Sequence, residues 1–321
     1  MSIEADAGSS SAAQTAAMTT AQSTRPYFWS VRRELWESRA VWIAPLAAAG
    51  FVLFGFIVSV ARTPPTIKGM SRITPENLMA IRVAPFGIAA VAIVLTSVVV
   101  GVFYCLGTLY NERRDRSILF WKSMPVSDLT TLLSKITVPM LILPIVAFVV
   151  ICATELLMYL LDMAAYASRG GIFAQLWSQV PLPQVWADVA YGIVTLTLWH
   201  APMYAYFLVL SAWAKKQPFL WAVVPPIGLS VFEKLAFDTS YISGAIHDRI
   251  FGSFGAAFTG GSGHMNFDTR GSAASAHGHA FHLPVPDPMK FVGTPGLWIG
   301  LVLAVGLFVA AVWLRRRREP M

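Results

Sequence analysis

Six long apolar runs constrain this chain more than any other feature of its sequence. A helix needs roughly 20 apolar residues to cross about 30 Å of hydrocarbon. The runs cover residues 41–61, 84–110, 136–161, 189–214, 218–237 and 292–314. One such run could be a buried helix of a soluble protein. Six in one chain predict an all-α, polytopic membrane protein with six transmembrane helices.

The composition agrees with this prediction and excludes two other classes of protein. Charged residues make up 13% of the chain, against about 25% in soluble domains, so a soluble fold could not cover its surface. The net charge of +7 would suit nucleic acid, but the basic residues lie beside the apolar runs and no recognition motif accompanies them. We therefore expect a lipid bilayer, and no nucleic acid, as a partner.

The distribution of Lys and Arg predicts that both termini lie in the cytoplasm. With that orientation, 15 of the 24 basic residues fall in short inner segments. They are Arg25, Arg32, Arg33, Arg39, Arg113, Arg114, Arg116, Lys122, Lys135, Lys215, Lys216 and Arg315 to Arg318. Four basic residues in the first outer loop argue against this orientation. They are outweighed by the larger number of basic residues in the inner segments.

The segments outside the spans have distinct compositions. Residues 1–24 are rich in Ala, Ser and Thr and are expected to be a disordered cytoplasmic tail. Residues 25–40 alternate aromatic and basic side chains, which predicts an interfacial amphipathic helix, either an anchor or a docking element. Residues 238–291 show no clear helix or strand pattern and are expected to be a mostly irregular extracytoplasmic loop. Residues 315–321 are expected to be a basic cytoplasmic tail.

No catalytic motif is present in the sequence. The chain has no GxxxxGK[ST] loop, no HExxH and no GxSxG, so we expect neither ATP hydrolysis nor another enzymatic activity in this chain. Five histidines fall in the last outer loop without a standard ligand spacing, and we expect no metal site there. They are His247, His264, His277, His279 and His282.

Two ionisable residues are expected at membrane depth, Glu155 in the third span and His200 in the fourth. Such groups are costly in the bilayer and usually face a protein interior. They are candidate residues of a polar path or proton relay. The alternatives are a neutral His200 bonded between helices, and a Glu155 that reaches outward or pairs with Arg169.

The segment 111–135, between the second and third spans, is the most informative part of the chain. It is charged at its start and apolar around Phe120 and Trp121. Pro125 ends this stretch, and Ser127 is positioned to cap a following helix with Asp128 at its positive end. The segment is either a loop with a membrane-hugging helix or an element that docks onto a soluble protein.

This segment resembles the region after the second span in permease subunits of type-2 ATP-binding-cassette exporters. The matching features are Glu112, Arg113, Arg114, Ser117, Phe120, Trp121, the Met124-Pro125-Val126-Ser127 turn and Lys135. Met124 replaces the commoner Leu. The stretch 211–221 is similar to the short inner turn between the fourth and fifth spans of such permeases.

The resemblance implies a permease subunit in a bacterial plasma (inner) membrane that exports an unknown substrate. A second permease copy, identical or different, would complete the path, and each copy would dock through a cytoplasmic coupling helix on a separate ATPase that binds ATP and Mg²⁺. No cofactor is expected in this chain. The implied coupling residues are Glu112, Arg113, Arg114, Asp115, Arg116, Phe120, Trp121 and Pro125. The alternatives are an ion-gradient-driven secondary transporter or channel, and a membrane-embedded enzyme that uses Glu155 and His200.

Overall fold

The computed structural model describes residues 26–62, 75–115, 127–167, 181–259 and 285–317. In the first half, the helices are α1 (Pro26–Glu37), α2 (Ala40–Arg62), α3 (Pro75–Arg114), α4 (Asp128–Thr137) and α5 (Leu143–Ala167). In the second half, they are α6 (Leu182–Trp213), α7 (Pro218–Phe237), α8 (Tyr241–Ala257), α9 (Pro288–Gly293) and α10 (Pro295–Arg317). Two short strands, β1 (Phe258–Thr259) and β2 (Val285–Pro286), form an antiparallel pair.

Six helical stretches are long and apolar enough to cross a membrane, and they coincide with the six predicted runs. They are Ala40–Arg62, Val83–Arg114, Asp128–Ala165, Leu182–Trp213, Pro218–Phe237 and Pro295–Arg317. The prediction of an all-α, multi-pass membrane protein is thereby confirmed at this level. The cytoplasmic placement of both termini stays a prediction.

Several helices extend beyond the predicted spans. The helix α3 has 40 residues, which corresponds to about 60 Å and exceeds the hydrocarbon thickness of about 30 Å. Hydropathy marks only the apolar part of such a helix, so it misses turns that continue outside the lipid. The helix α10 continues into the predicted tail 315–321 as far as Arg317, and Arg315 is buried. Residues 318–321 lie outside the described part of the chain.

The helix α6 lies at the centre of the bundle and packs against α10, α3, α8, α5 and α7. A large apolar cluster joins α3 and α6 with α4 and α10, through buried residues that include Cys105, Leu132, Tyr204 and Ala311. On the other side, α2 packs against α3 and α5. The bundle therefore has α6 as its core and α2 and α7 at its margins.

A π-helical turn, Val138–Ile142, joins α4 to α5. Pro139 lies within this turn and Pro144 follows it. Proline has no N–H to donate to the carbonyl one turn earlier, and a wider turn is one way for a helix to continue past such a gap. The third span is therefore one continuous helical stretch with an altered turn near its start.

The prediction of an irregular loop over residues 238–291 is wrong for the part that the structure describes. Residues 241–257 form α8, and α9 precedes the last span. The glycines of α8 weaken its sequence signal, and the helix depends on tertiary contacts instead. Glu233, at the end of α7, accepts hydrogen bonds from the backbone N–H groups of Tyr241 and Ile242, both 2.8 Å long.

The predicted N-terminal helix is present as α1, and Trp29 and Trp36 on it are exposed. The guanidinium of Arg32 lies 5.3 Å and 5.0 Å from the ring centroids of these two residues. The position of α1 in the headgroup layer stays a prediction. The predicted tail 1–24 lies outside the described residues.

Candidate functional site

A buried charge cluster joins four helices at the end of the bundle that carries most of the arginines. We define this charge cluster by Arg33 and Glu34 of α1, Glu112 of α3, Asp128 and Lys135 of α4, and Arg315 of α10. The two ends of the predicted coupling segment 111–135 thus both lie in it. The same end of the bundle, which we call the arginine-rich end, includes the C-termini of α3 and α10.

Lys135 is the central cation of the charge cluster. Its ammonium group lies 2.8 Å from Glu34 Oε1 and 2.9 Å from Glu112 Oε1. It also donates a 2.8 Å hydrogen bond to Thr108 Oγ1. The second oxygen of Glu34 accepts a 2.8 Å hydrogen bond from the Tyr104 hydroxyl. The three protons of the Lys135 ammonium group are therefore directed to acceptors on two other helices, α1 and α3.

Arg315 connects the last span to the same charge cluster. Its Nη1 lies 3.2 Å from Glu112 Oε2, and its Nε lies 3.1 Å from Asp128 Oδ1. Arg33 approaches from α1, with Nη2 3.1 Å from Glu112 Oε1. The carboxylate of Glu112 thus receives cations from three other helices.

The burial of these charges is tolerated because they compensate one another. Three carboxylates, Glu34, Glu112 and Asp128, meet three cations, Arg33, Lys135 and Arg315, among the described residues. Removing one partner from such a buried set leaves an uncompensated charge, which typically costs about 3–5 kcal/mol. The charge cluster therefore specifies how the four helices pack, because few other arrangements of these helices would pair all of its charges.

Arg113 makes a second link at the arginine-rich end, between α3 and α6. Its Nη2 donates to the carbonyl oxygens of Ser211 and Ala214, at 2.6 Å and 2.7 Å. These carbonyls belong to the end of α6, where a helix has acceptors without intrahelical donors. The Ser211 hydroxyl accepts from the N–H groups of Leu109 and Tyr110 at 3.1 Å and 2.9 Å. The end of α3 is therefore fixed to the end of α6.

The predicted coupling residues thus divide into two groups in the structure. Glu112 and Arg113 are buried and contact other helices of this chain. Arg114 and Asp115 are 62% and 60% exposed and pair with each other at 3.2 Å. Their contact with an ATPase stays a prediction. Four further predicted residues lie outside the described part of the chain: Arg116, Phe120, Trp121 and Pro125.

The predicted cap at the start of the third span is confirmed. Ser127 Oγ accepts a 3.1 Å hydrogen bond from the N–H of Thr130. Asp128 lies in the first turn of α4, where the helix dipole favours negative charge. The carboxylate of Asp128 therefore acts both at the helix start and as a partner of Arg315.

The structure does not bring the two predicted path residues together. Glu155 is fully buried on α5 and lies beside Trp186, near the start of α6. His200 is buried further along α6, and its Nδ1 lies 2.9 Å from the Leu196 carbonyl oxygen. Fourteen residues separate Trp186 from His200, which corresponds to about 21 Å along the helix. The two residues therefore do not form one site.

At the opposite end of the bundle, Arg249 of α8 is inserted between α6 and α10. It donates to the carbonyl oxygens of Trp199 and Gly296, each at 3.1 Å, and lies 4.8 Å from the Trp199 ring centroid. Loss of hydration lowers the pKa of Arg249 from its usual value. A Cβ at Gly300 would meet the guanidinium at 2.6 Å, so glycine is required there for this contact.

Sequence reasoning did not identify the charge cluster as a site. Aromatic and basic residues dominate the sequence pattern around Glu34, and Arg315 opens an arginine run that indicates only orientation. The available signal was the position of Glu112, Lys135 and Arg315, each within two residues of the end of a predicted span. Pairing of these residues depends on which helices are neighbours, and a single sequence does not give that.

Comparisons with family models, with curated proteins and with solved structures found no match to this chain. Within the described ranges, no three His, Cys, Asp or Glu side chains lie close enough to hold a metal ion. His264, His277, His279 and His282 lie outside those ranges. The function must therefore be argued from the sequence and the geometry of the charge cluster.

Proposed function

We propose that the chain is the permease subunit of an ATP-driven exporter of the type-2 ATP-binding-cassette class. The observation that carries the proposal is the charge cluster, which connects both ends of the segment 111–135 to the first and last helices of the chain. Segment 116–126 lies between Asp115, three residues after Glu112, and Ser127, which directly precedes Asp128. A force on this segment would therefore act on α1, α3, α4 and α10 together.

Coupling between a soluble ATPase and the membrane helices requires such a mechanical link. Buried ion pairs resist separation, because each charge that loses its partner remains in a poorly solvated place. Motion of the segment would therefore be transmitted through Glu112, Lys135 and Arg315 as a movement of whole helices. The Arg113 contacts with Ser211 and Ala214 would extend that movement to α6, the central helix. This fits a mechanism in which closure of two ATPases changes how the helices pack around a path.

The exposed residues at the start of the segment would provide specificity of docking. Arg114 and Asp115 are exposed, and charged groups at the edge of an interface determine orientation and partner choice more than affinity. The apolar residues Phe120 and Trp121 would supply the buried part of the contact. The substrate and the identity of the second permease copy are left open by this proposal.

Site-specific photo-cross-linking in cells tests the proposal. A photoreactive amino acid at Phe120 should give a cross-link to a soluble protein that contains a GxxxxGK[ST] phosphate-binding loop, identified by mass spectrometry. The same amino acid at Asp238, an exposed residue at the opposite end of the bundle, is the matched control and should give no such product. Cross-links from Phe120 to lipid alone, with the chain folded and inserted, would contradict the proposal.

One observation favours the alternative of an ion-gradient-driven transporter. Glu155 is buried, and neither of its oxygens has a hydrogen-bond partner among the described residues. A transporter of that class would function without an ATPase, so the cross-linking experiment separates the two. The alternative of an enzyme using Glu155 and His200 has no such support, because the two residues are far apart.

A further inference from the structure

Glu155 lies between two apolar layers on the inner face of α5. Ile151, Glu155 and Met158 are four and three residues apart, so they share one face of the helix, and all three are buried. Ile151 packs in one apolar cluster and Met158 in the next. Buried members of these clusters on the neighbouring helices are Ala49, Phe86, Ala89, Ala90, Ile93 and Ile193. The Glu155 carboxyl group is thus surrounded by hydrocarbon from α2, α3 and α6.

The polar atoms near Glu155 do not satisfy its carboxyl group. Both carboxyl oxygens are inaccessible and lack a hydrogen-bond partner in the described part of the chain. Trp186 lies beside the carboxyl group, and its Nε1 is also inaccessible and without a partner there. The Cys152 thiol lies one turn before Glu155 on α5 and interacts electrostatically with it. The Trp186 N–H and the Glu155 carboxyl group are therefore both buried and close together, but they do not form a hydrogen bond of normal geometry.

Among the side chains that the structure describes, no cation faces Glu155 from the helices that pack around it. Residues 40–61, 83–112, 136–167 and 182–214 contain no Lys or Arg. The remaining charged or titratable groups described on these stretches near its level are Tyr159 and Asp162 on α5 and Asp188 on α6. Arg62 is exposed at the end of α2, and only the backbone of α3 is described at Arg82. An ionised Glu155 would therefore be uncompensated, and ionised groups are costly in such an environment.

We propose that Glu155 is a proton-binding site inside the helix bundle, and that Asp162 passes the proton between Glu155 and the water at the end of α5. The proton converts the carboxylate into a neutral acid, which an apolar layer tolerates far better. Asp162 lies two turns further along the same face, about 10 Å away along the axis. It is also buried, with Oδ2 lacking a partner among the described residues. It lies five residues before the end of α5 at Ala167, nearer to water than Glu155.

Two other ligands fit the site less well than a proton. A divalent metal ion needs several oxygens at about 2–2.6 Å, and the axial separation of Glu155 and Asp162 prevents them from sharing one ion. An organic cation needs an open volume, whereas both oxygens of Glu155 are inaccessible. A proton requires neither additional ligands nor space. Proton binding requires no ATPase, so this inference goes beyond the proposed function and is tested separately.

Labelling of the full chain in liposomes with a hydrophobic carbodiimide tests the first half of the proposal. A protonated carboxylic acid adds to the carbodiimide. Its oxygen bonds to the central carbon, its proton goes to a nitrogen, and an acyl shift then gives a stable N-acylurea without a leaving group. Mass spectrometry should locate this adduct on Glu155, with a yield that falls as the pH is raised. Glu37, which is 56% exposed and paired with Arg33, is the internal control and should remain unlabelled.

The wild-type chain alone decides this experiment, so it does not depend on the folding of a variant. Glu155→Gln, which keeps the shape of the side chain, should abolish the adduct and should elute as a monodisperse species. Absence of an adduct on Glu155, together with a wild-type infrared spectrum that lacks the carbonyl band of a protonated carboxylic acid, would overturn the proposal.

Infrared spectroscopy of the same samples tests the role of Asp162. The carbonyl band of a protonated carboxylic acid should be present in the wild type, reduced in Glu155→Gln, and shifted after transfer to D₂O. In Asp162→Asn, the shift of the remaining Glu155 band should be slower than in the wild type. An unchanged exchange rate in Asp162→Asn would refute the exchange role, and a wild-type spectrum without this band would refute proton binding at Glu155.

Discussion

Lys135 and Glu34 form an ion pair of 2.8 Å, although 101 residues separate them in the chain and neither side chain is more than 3% exposed. This contact fixes α1, which precedes the first span, to α4, which begins the third. Because Lys135 also contacts Glu112, the end of the second span belongs to the same arrangement. One ammonium group thus connects all three of these helices.

Replacing Lys135 by Met should destabilise the chain strongly. The variant leaves Glu34 and Glu112 buried without their shared cation, and we expect a loss of about 3–5 kcal/mol. The melting temperature in detergent, followed by tryptophan fluorescence, measures the effect. The matched control is Lys234→Met, since Lys234 forms an exposed pair with Asp238 at 2.7 Å and such pairs contribute about 0–1 kcal/mol.

A double variant strengthens this test. Lys135→Met leaves three carboxylates against two cations in the charge cluster, and adding Glu34→Gln restores the balance at two against two. The double variant should therefore be more stable than Lys135→Met alone. Equal melting temperatures for Lys135→Met and for the Lys234→Met control would show that the charge cluster does not hold the helices together.

Exchanging the charges of Arg114 and Asp115 should weaken docking of an ATPase without unfolding the chain. Both residues are exposed, so the variant Arg114→Asp/Asp115→Arg should change stability by less than about 0.5 kcal/mol. Copurification of the ATPase in mild detergent measures docking. The equivalent exchange Lys234→Asp/Asp238→Lys, at the opposite end of the bundle, should leave copurification unchanged. Equal recovery of the ATPase with both exchanges would count against a docking role of this pair.

The sequence predicted the spans well because each depends on a local property, the length of an apolar run. The cap at Ser127 was predictable for the same reason, since a cap involves residues three positions apart. The contacts of Glu34 with Lys135 and of Arg315 with Glu112 join residues 101 and 203 positions apart. These contacts depend on which helices are neighbours in the bundle, and hydropathy does not show that. The helix α8 was missed because its start relies on the carboxylate of Glu233, which belongs to the preceding helix.

Replacing Arg113 by Lys should loosen the contact between α3 and α6. One guanidinium nitrogen of Arg113 donates to two carbonyl oxygens at the end of α6. The ammonium nitrogen of Lys is one bond closer to the backbone, so it would not reach both oxygens from the same position. We expect a loss of about 1–3 kcal/mol, because buried carbonyls are left unsatisfied. Thermal unfolding measures it, with Arg114→Lys as the exposed control. A loss no larger than that of the control would show that the two carbonyls find other donors.

Replacing Glu233 by Ala should release the start of α8 while leaving the bundle folded. The carboxylate accepts from the N–H groups of Tyr241 and Ile242 and from the Thr239 hydroxyl, each at 2.8 Å. The two N–H groups are donors that the helix itself cannot satisfy at its first turn. Hydrogen exchange followed by mass spectrometry should therefore become severalfold faster in peptides covering Tyr241 and Ile242, and should stay unchanged in peptides from α3. Glu233→Gln retains an acceptor oxygen without its charge and should give an intermediate rate. If Tyr241 is equally protected from hydrogen exchange in Glu233→Ala and in the wild type, α8 begins without the help of this carboxylate.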